Sequence, residues 1–419
     1  MQKLNVVLTL PNGYRLLCGE IFTTNPDSRG KIEGSFRYVK EYLSNPASFA
    51  LDPVHLPLNP AEVETDRPQG VHGVFEDALP DDWGRALLAK KHNMPRAEQT
   101  VSNFLKLQGT NGLGALSFHA DKEKPFKDPS ASLHDLSRVV EAALNFDAGL
   151  PVKNNDLQAL FTCGSTPGGA RPKALIKSKA GKQWIAKFPK ITDNYHVEPI
   201  EAGTLQLAEN AGLNVPNFLI QNAGDRKVLL IERFDVTDQG GRNHMISMQT
   251  LLGADGYYNL SYSDMFKIVN KFSYQPQEDT DALFRQMVFN SAIGNTDDHL
   301  KNFSMLQTES GFCLSPTYDL VPDIHHNREH RLSFPQGAGT LPPNRKVLER
   351  IGKVCKASDP DQIIGDVFRA VTNWQEVYWQ YEVPETDIQR LEPAISQRLT
   401  QIAGPKDSLN DGISPSAQL

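Results

Sequence analysis

Short apolar segments separated by polar turns make up the start of the chain, which predicts short strands. Residues 6–10 have the apolar character of a strand, and Pro11-Asn12-Gly13 directly after them is typical of a hairpin turn. Residues 36–39 and 49–51 favour further strands. Helical spacing first occurs over residues 83–91, behind the segment Leu79-Pro80-Asp81. The pattern predicts a β-rich N-terminal subdomain over residues 1–120.

The middle of the chain alternates between strand pairs and helices. Residues 121–130 are charged and contain proline, which indicates a linker. Ser132 then stands at the position of a helix N-cap. Apolar residues recur behind it on one helical face: Leu136, Val139, Val140, Ala143 and Leu144. Two hairpins follow, over residues 174–188 and 217–231, with a helix between them. The pattern predicts a second unit over residues 131–235.

From residue 236 onward the pattern is mostly helical. A periodic apolar stretch over residues 283–292 ends at Gly294, a typical helix stop. A polar loop at residues 295–302 and a hairpin at residues 303–314 interrupt the helices. We expect a helical unit over residues 236–403 and a disordered tail over residues 404–419.

Composition and charge narrow the class of protein. The chain has 419 residues, of which 39% are hydrophobic and 22% are charged, as in ordinary globular proteins. A net charge of −7 argues against broad direct binding to nucleic acid. The four cysteines are scattered, which fits a reducing cytoplasm, and no apolar run reaches membrane-spanning length.

The loop at residues 295–302 carries the strongest chemical signal. Asp297 is followed five residues later by Asn302, and Asp319 follows the next hairpin. Phosphoryl transfer uses one carboxylate at the acceptor hydroxyl, and an amide with a second carboxylate to hold Mg²⁺. Asp and Asn at this spacing also form ordinary turns and caps. The order of the three residues around a hairpin favours the kinase interpretation.

A glycine-rich segment in the second unit supports a nucleotide site. Residues 163–173 contain Gly168 and Gly169 beside small hydroxyl residues, so backbone N–H groups can approach phosphates, although a plain loop remains an alternative. Lys187 then lies in a strand among apolar neighbours, and Glu201 lies on the following helix. Glu201 either favours the helix N-terminus or holds a phosphate-binding lysine.

The order of these motifs along the chain is that of a protein kinase. The chain contains the parts of a kinase in their usual order: a glycine-rich loop, a strand lysine, a helix glutamate, a hairpin, a helical lobe, a catalytic Asp, an Asn and a metal-binding Asp. The predicted fold class is therefore α+β. It is a protein-kinase-like two-lobe fold with a β-rich N-terminal subdomain and a mostly helical C-terminal lobe.

Two other segments have competing interpretations. Residues 109–114 are glycine-rich, but no strand–loop–helix unit surrounds them, and a tight turn is the better interpretation. His325, His326 and His330 are a possible metal site, although arginines beside them favour a polar surface segment.

The motifs together resemble the HipA family of bacterial serine/threonine kinases, the toxins of HipA–HipB toxin–antitoxin systems. The resemblance covers most of the chain. It rests on the sequences at residues 109–116, 165–173, 184–189, 211–216, 232–235, 295–304 and 315–320, and on residues 75–81. The Pro-Gly-Gly sequence at residues 167–169 resembles a variant of one branch of the family.

The resemblance implies roles for individual residues. Asp297 matches the catalytic Asp, and Asn302 and Asp319 match the Mg²⁺ ligands. The nucleotide-binding positions of the family correspond to Ser165, Gly168, Gly169, Lys187, Glu201, Glu232 and Phe234. Glu232 and Phe234 fall on the hinge that holds adenine through backbone contacts, and Ser165, or the adjacent Thr166, falls on the autophosphorylated position.

The resemblance also implies a function and partners. It implies an ATP- and Mg²⁺-dependent kinase that acts as a growth-inhibiting toxin, autophosphorylates in its phosphate-binding loop and is neutralised by a small helix-turn-helix antitoxin of the HipB type. An aminoacyl-tRNA synthetase is a candidate substrate, and DNA is reached only through the antitoxin. The alternatives are a catalytically weak corepressor with a kinase fold and a small-molecule phosphotransferase.

Overall fold

The computed structural model describes residues 1–110, 112–120, 131–132, 136–153, 155–156, 160, 171–256, 258–324 and 329–404. These parts of the chain form three sheets, whose strands are mostly antiparallel, and a set of helices. No described helix combines the length and the apolar character that a membrane crossing requires.

The first sheet belongs to the first 120 residues. Its strands are ordered β4-β3-β2-β1-β5 and all pairs are antiparallel. The strands are β1 Gln2–Thr9, β2 Arg15–Thr23, β3 Gly34–Tyr38, β4 Val63–Thr65 and β5 Leu116–His119. Gly13 closes the first hairpin with a φ of 82°, a conformation that glycine adopts without steric cost. The turn predicted at residues 11–13 is thus present.

Short helices cover this sheet. They are Lys40–Leu43, Gly73–Glu76, Asp82–Lys91 and Val101–Gln108, with a 3₁₀ turn at Arg96–Glu98. Trp83 and Leu87, on one of these helices, are buried against the helix Leu136–Asp147 and the second sheet. The N-terminal residues therefore pack directly on the unit that follows them.

The second sheet is buried on both faces in the middle of its strand Arg226–Glu232. Its order is β6-β7-β8-β10-β9, with β6 Ala131–Ser132, β7 Lys173–Lys177, β8 Gln183–Lys187, β9 Phe218–Ala223 and β10 Arg226–Glu232. Successive side chains of β10 point to opposite faces. Val228 and Leu230 join the core under the helix Leu136–Asp147, whereas Leu229 and Ile231 join the core that contains the helix Val197–Asn210.

A small third sheet lies among the C-terminal helices. It has the order β11-β12-β13, with β11 His244–Ser247, β12 Ser304–Thr308 and β13 Gly311–Leu314. The helices are Met248–Leu251, Tyr262–Phe272, Pro276–Ile293, Arg345–Cys355, Pro360–Thr372, Trp374–Gln380 and Glu385–Ile402, with a 3₁₀ turn at Leu300–Asn302. The helix Pro276–Ile293 ends at Gly294, which is left-handed with a φ of 83° and directs the chain into residues 295–302.

Several local predictions differ from the structure. Ser132 lies in β6, and the helix is described from Leu136 onward, so the helix start predicted behind Ser132 falls on residues 133–135, outside the described residues. Residues 49–51 form no strand, because Tyr42 and Tyr38 hydroxyls hold their backbone groups instead of a neighbouring strand. The strand β11 was not predicted at all. The predicted linker at residues 121–130 and most of the predicted tail lie outside the described residues.

Candidate active site

A cavity of about 370 Å³ lies between the second sheet, the third sheet and the helices and loops of the first 120 residues. Residues from every part of the fold line it: Arg85 and Asp77 from the first 120 residues, Lys187 and Ile231 from the second sheet, and Asn302 from the loop before β12. A cavity of this size, with both apolar and polar residues in its walls, is typical of a site for a small ligand. The cavity therefore collects most of the described residues that the sequence marks as functional.

Lys187 is the electrostatic centre of this cavity. It ends β8 and is 8% exposed. Its Nζ donates to Glu201 Oε1 over 2.5 Å and to Asp319 Oδ1 over 2.6 Å. Glu201 from a helix and Asp319 from the segment after β13 thus both bind the ammonium group of Lys187, which comes from a strand. All three residues were predicted from the sequence.

The charges of this triad depend on one another. Burial acts to lower the pKa of Lys187, but the charges of Asp319 and Glu201 outweigh it and hold that pKa above its ordinary value. Burial acts to raise the pKa of Asp319, but the charges of Lys187 and Lys173 hold it well below its ordinary value. Burial raises the pKa of Glu201 in spite of Lys187. We conclude that Lys187 and Asp319 are charged at neutral pH.

A second lysine stands beside the first, and the sequence did not mark it as a site residue. Lys173 begins β7 and lies directly opposite Lys187 in the strand register. Both side chains line the cavity. Burial, together with the charge of Lys187, lowers the pKa of Lys173 to about 8. Two ammonium groups on one wall make this part of the cavity suited to an anionic ligand.

Asp297 is the exposed member of an otherwise buried loop segment. Its side chain is 57% exposed, whereas Asn295, Thr296 and Asp298 are all buried. Its Oδ1 lies 3.5 Å from Arg331 Nε. Asp297 does not belong to the cavity wall that the described residues form, but His299 and Lys301 of the same loop do. Asp297 therefore lies beside the cavity, where an acceptor arriving from solvent can reach it.

Asn302 and Asp319 line the cavity together. Asn302 Nδ2 donates to the carbonyl oxygen of Asp297 over 3.1 Å, which leaves the amide oxygen of Asn302 available to a ligand. Asp319 has a φ of 59°, the left-handed conformation that an Asp side chain tolerates better than most. Amide and carboxylate oxygens are the donors that Mg²⁺ prefers.

The metal site considered for His325, His326 and His330 is not supported by the described residues. No group of three His, Cys, Asp or Glu side chains is placed to hold a metal ion within the described ranges. His325 and His326 lie outside them. His330 is buried and its Nδ1 lies 3.0 Å from Asp298 Oδ2, so the expectation of a polar surface position is wrong for this residue.

The predicted hinge residues Glu232 and Phe234 also line the cavity. The Glu232 N–H donates to Asn217 O over 2.8 Å, so any backbone contact of Glu232 with an adenine does not involve this N–H. Phe234 packs on Tyr318 with ring centroids 5.7 Å apart. An aromatic pair at this place provides a flat apolar surface for a base.

Behind the hinge lies a buried ion pair that joins it to the N-terminal subdomain. Arg233 donates to both oxygens of Asp235, over 3.0 and 2.5 Å, and to Gly112 O over 2.7 Å. The Gly114 N–H donates to Asp235 Oδ2 over 2.8 Å. The glycine-rich stretch at residues 109–114 is therefore, in its described part, a turn that contacts the hinge.

The N-terminal subdomain supplies a further wall of the cavity that the sequence did not predict. Glu76 lies 2.6 Å from Arg67 and 3.7 Å from Arg85, and Asp81 lies 3.5 Å from Lys301. Asp77 accepts hydrogen bonds from Ser247. Burial raises the pKa of Asp77 to about 6. The only signal in the sequence was the segment Leu79-Pro80-Asp81.

Most of the predicted phosphate-binding loop precedes the part of the chain that is described from Arg171 onward. Ser165, Thr166, Gly168 and Gly169 lie outside the described residues. The chain is described again from Arg171, whose guanidinium contacts Asp193 Oδ1 over 2.9 Å and Glu198 Oε1 over 2.9 Å. The end of the segment is thus fixed to the start of the helix that carries Glu201.

Comparison with known families gives two matches. Residues 19–119 match the HipA N-terminal domain, and residues 165–375 match the HipA-like C-terminal domain. The second match alone covers half of the 419 residues.

Individual relatives are similar over shorter stretches. A putative kinase of Sinorhizobium fredii is 31% identical over 150 residues, which are 33% of this chain and 34% of the relative. The serine/threonine-protein kinase toxin HipA of Shewanella oneidensis is 30% identical over 184 residues, which are 38% of this chain and 42% of the relative. The chain thus spans less than half the length of these curated relatives.

Solved structures extend the likeness to nearly the whole chain. A structure from Shewanella oneidensis, a toxin–antitoxin complex of HipA, HipB and operator DNA, superposes with a TM-score of 0.68 at 19% identity. The superposition covers 94% of this chain and 96% of the other. This likeness confirms the predicted α+β fold of the kinase-like type.

Proposed function

Because the chain belongs to the HipA family, as the sequence predicted, we propose that it is an ATP- and Mg²⁺-dependent serine/threonine protein kinase. We propose further that it acts as a growth-inhibiting toxin. The names of the relatives, a kinase toxin and a putative kinase, support the enzyme class.

One observation carries the proposal: Lys187 bridges Glu201 and Asp319 in a cavity that Asn302 also lines. In phosphoryl transfer a strand lysine contacts the phosphates of ATP, and a helix carboxylate holds this lysine in place. The buried Glu201 can do the second task because its carboxylate already accepts a hydrogen bond from the Lys187 ammonium. Lys173 adds a second positive charge for the same phosphates.

The donor set fits Mg²⁺. Asn302, through its amide oxygen, and Asp319 would hold the ion, and waters and phosphate oxygens usually complete such a site. When bound, the ion neutralises the charge of the phosphates and helps to orient them. Asp319 lines the cavity and its side chain is 42% exposed, so it is accessible to a cation.

Asp297 is the group we assign to the acceptor. Its exposed carboxylate can accept the proton of a seryl or threonyl hydroxyl, and the backbone beside it is fixed by the Asn302 hydrogen bond. Glu232 and Phe234 would hold the adenine, and Gly168 and Gly169 would cover the phosphates.

The partner and the control of the enzyme are also proposals. The structural neighbour is a complex of HipA with HipB and operator DNA. From this likeness we expect this chain to bind a small helix-turn-helix antitoxin of the HipB type. Its net charge of −7 argues against broad direct binding of DNA, which it would reach through the antitoxin. Autophosphorylation at Ser165 or Thr166 would place about −1.5 to −2 charges beside the phosphates of ATP and would inactivate the kinase.

The test compares wild type with Asp297→Asn in the presence of ATP, with and without Mg²⁺. Wild type should transfer phosphate to itself, and intact-mass and peptide spectra should place it at Ser165 or Thr166. The variant should bind ATP normally and lose transfer by about 10²- to 10⁴-fold, the usual contribution of a general base.

Other results of these experiments would favour or refute particular parts of the proposal. Equal phosphate on both proteins would refute the assignment of Asp297 as the catalytic residue. Transfer to aminoglycosides but not to protein would favour a small-molecule phosphotransferase. Growth arrest by wild type, absent with Asp297→Asn and relieved by the antitoxin, supports the toxin role. Growth arrest by both proteins would refute toxicity by phosphorylation.

A further inference from the structure

The loop that carries Asp297 lacks the usual anchor of a protein-kinase catalytic loop. Asn295-Thr296 stand where His-Arg normally precedes the Asp. Asp297 is nevertheless flanked by buried residues on both sides. Another group in this chain must therefore hold the loop.

The buried Asp298 carboxylate has the contacts for this task. Its Oδ2 accepts hydrogen bonds from Tyr262 Oη over 2.7 Å and His330 Nδ1 over 3.0 Å. Its Oδ1 accepts from the backbone N–H groups of Arg331, over 2.8 Å, and Leu332, over 3.4 Å. Asp298 has no exposed surface, so these four donors replace water around its charge.

The donors to Asp298 are themselves fixed. Tyr262 lies on the helix Tyr262–Phe272, and its ring contacts Phe303 and Phe334 at centroid distances of 5.8 Å each. Its hydroxyl accepts from Asn290 Nδ2 over 3.1 Å, and Asn295 Nδ2 donates to Asn290 Oδ1 over 3.1 Å. The network returns to the start of the same loop. A buried hydrogen-bond network of this type rigidifies its members and favours one arrangement of them.

This arrangement determines where Asp297 and Arg331 lie. The Arg331 N–H is shared between Asp298 Oδ1 and Thr296 O, at 2.8 and 3.1 Å. The residue before Asp297 and the residue after it are thus bound to the same backbone group of the segment at residues 330–332. Arg331 Nε is then 3.5 Å from Asp297 Oδ1.

We propose that Asp298 is a positioning residue for phosphoryl transfer, which holds Asp297 against Arg331 by joining the loop at residues 295–298 to the segment at residues 330–332. This role rests on the proposed kinase function. Asp298 touches neither nucleotide nor acceptor in it, and acts only by fixing the neighbouring carboxylate.

The competing explanation is that Asp298 only stabilises the fold. Asp52 offers a matched control, since it is also a buried carboxylate that accepts from a histidine Nδ1 and two backbone N–H groups, and it does not line the cavity. Asp298→Asn, Asp298→Ala, Tyr262→Phe and Asp52→Asn should therefore be compared as full-length proteins. The assay is the rate of autophosphorylation against ATP concentration, with urea unfolding measured in parallel.

A positioning role affects the maximal rate rather than nucleotide binding. Asp298→Asn should lower the maximal rate by about 10- to 100-fold, because small misplacements of a reacting group have effects of this size. The half-saturating ATP concentration should stay within about twofold of wild type, since ground-state binding is unchanged. The rate should fall in the order wild type, Asp298→Asn, Asp298→Ala, because Asn keeps an acceptor oxygen. Asp52→Asn should keep the wild-type rate within about twofold.

Several results would overturn the proposal. Equal loss of rate in Asp298→Asn and Asp52→Asn at equal loss of stability would assign Asp298 to folding alone. A wild-type rate in Tyr262→Phe, which removes one donor and keeps the ring, would do the same, and this variant decides the question if the Asp298 variants do not fold. Absence of transfer by wild type would instead refute the proposed function itself.

Discussion

Replacement of Glu201 by Gln tests the centre of the site with a minimal change of shape. The amide retains an oxygen for the Lys187 ammonium but removes the negative charge. Lys187 then has one carboxylate partner, Asp319, at 2.6 Å. We expect Lys187 to bind Asp319 more closely and thereby to compete with Mg²⁺ for it.

The structure sets the size of the effect. A hydrogen bond to a charged group contributes about 1.5–3 kcal/mol. The burial that raises the pKa of Glu201 offsets part of this, so the free energy of unfolding should fall by only about 1–2 kcal/mol. The ratio kcat/KM for ATP should fall by about 10- to 100-fold, which corresponds to about 1.4–2.8 kcal/mol of lost transition-state stabilisation.

The pH dependence gives a second readout. The pKa of Lys187 is raised in the folded state, so its charged form is stabilised up to a pH above the ordinary lysine range and is lost as the pH rises through the folded pKa. Removal of the Glu201 charge lowers that pKa. The loss of activity that comes from deprotonation of Lys187, above the range in which Lys173 titrates, should therefore move to lower pH in Glu201→Gln.

The assay is a Mg²⁺ titration of phosphoryl transfer for wild type, Glu201→Gln and Glu382→Gln. Glu382 pairs with Lys227 at the surface and does not line the cavity, so its replacement removes a lysine partner without touching the site. Glu201→Gln should need more Mg²⁺ than the other two proteins. An unchanged Mg²⁺ requirement together with unchanged kcat/KM would refute the role of Glu201.

Three further predictions follow from other contacts of the site. Asp319→Ala should weaken nucleotide binding only when Mg²⁺ is present; an equal effect of Mg²⁺ on ATP titrations of variant and wild type would exclude Asp319 as a ligand. Because the pKa of Lys173 is about 8, ATP affinity should fall from pH 7 to pH 9, and calorimetry should find this fall abolished in Lys173→Met; an unchanged fall would assign it to another group. Asp235→Asn should lower the free energy of unfolding by about 3–5 kcal/mol in urea titrations, since it leaves Arg233 buried without its charged partner, and a loss below about 1 kcal/mol would contradict this.

The sequence predicts those parts of the fold that depend on the order of neighbouring residues along the chain. The buried face of the helix Leu136–Asp147 and the hairpins around Lys187 and at residues 303–314 follow from periodicity and turn residues, and they are present. The family and the fold were predicted from motifs in a fixed order, and both are confirmed.

Long-range pairing was not predictable in this way. The partnership of Lys173 with Lys187 depends on strand register, and β11 depends on pairing with β12, which lies 60 residues later. Asp298 and His330 are polar residues in a polar-looking segment, and only the fold shows that both are buried. The wall formed by Glu76, Asp77 and Asp81 requires the first 120 residues to pack against the rest, which no local pattern encodes.

The ion pair behind the hinge has a consequence for protein engineering. The two matched domains are separated by residues 120–164, but Arg233 and Asp235 of the second domain each have a hydrogen-bond partner in the first, Gly112 and Gly114 respectively. A C-terminal fragment expressed alone would expose this charged pair to solvent at the back of its base-binding surface. Two separately produced fragments should instead complement one another in trans, so that ATP binding becomes a reporter of their reassembly.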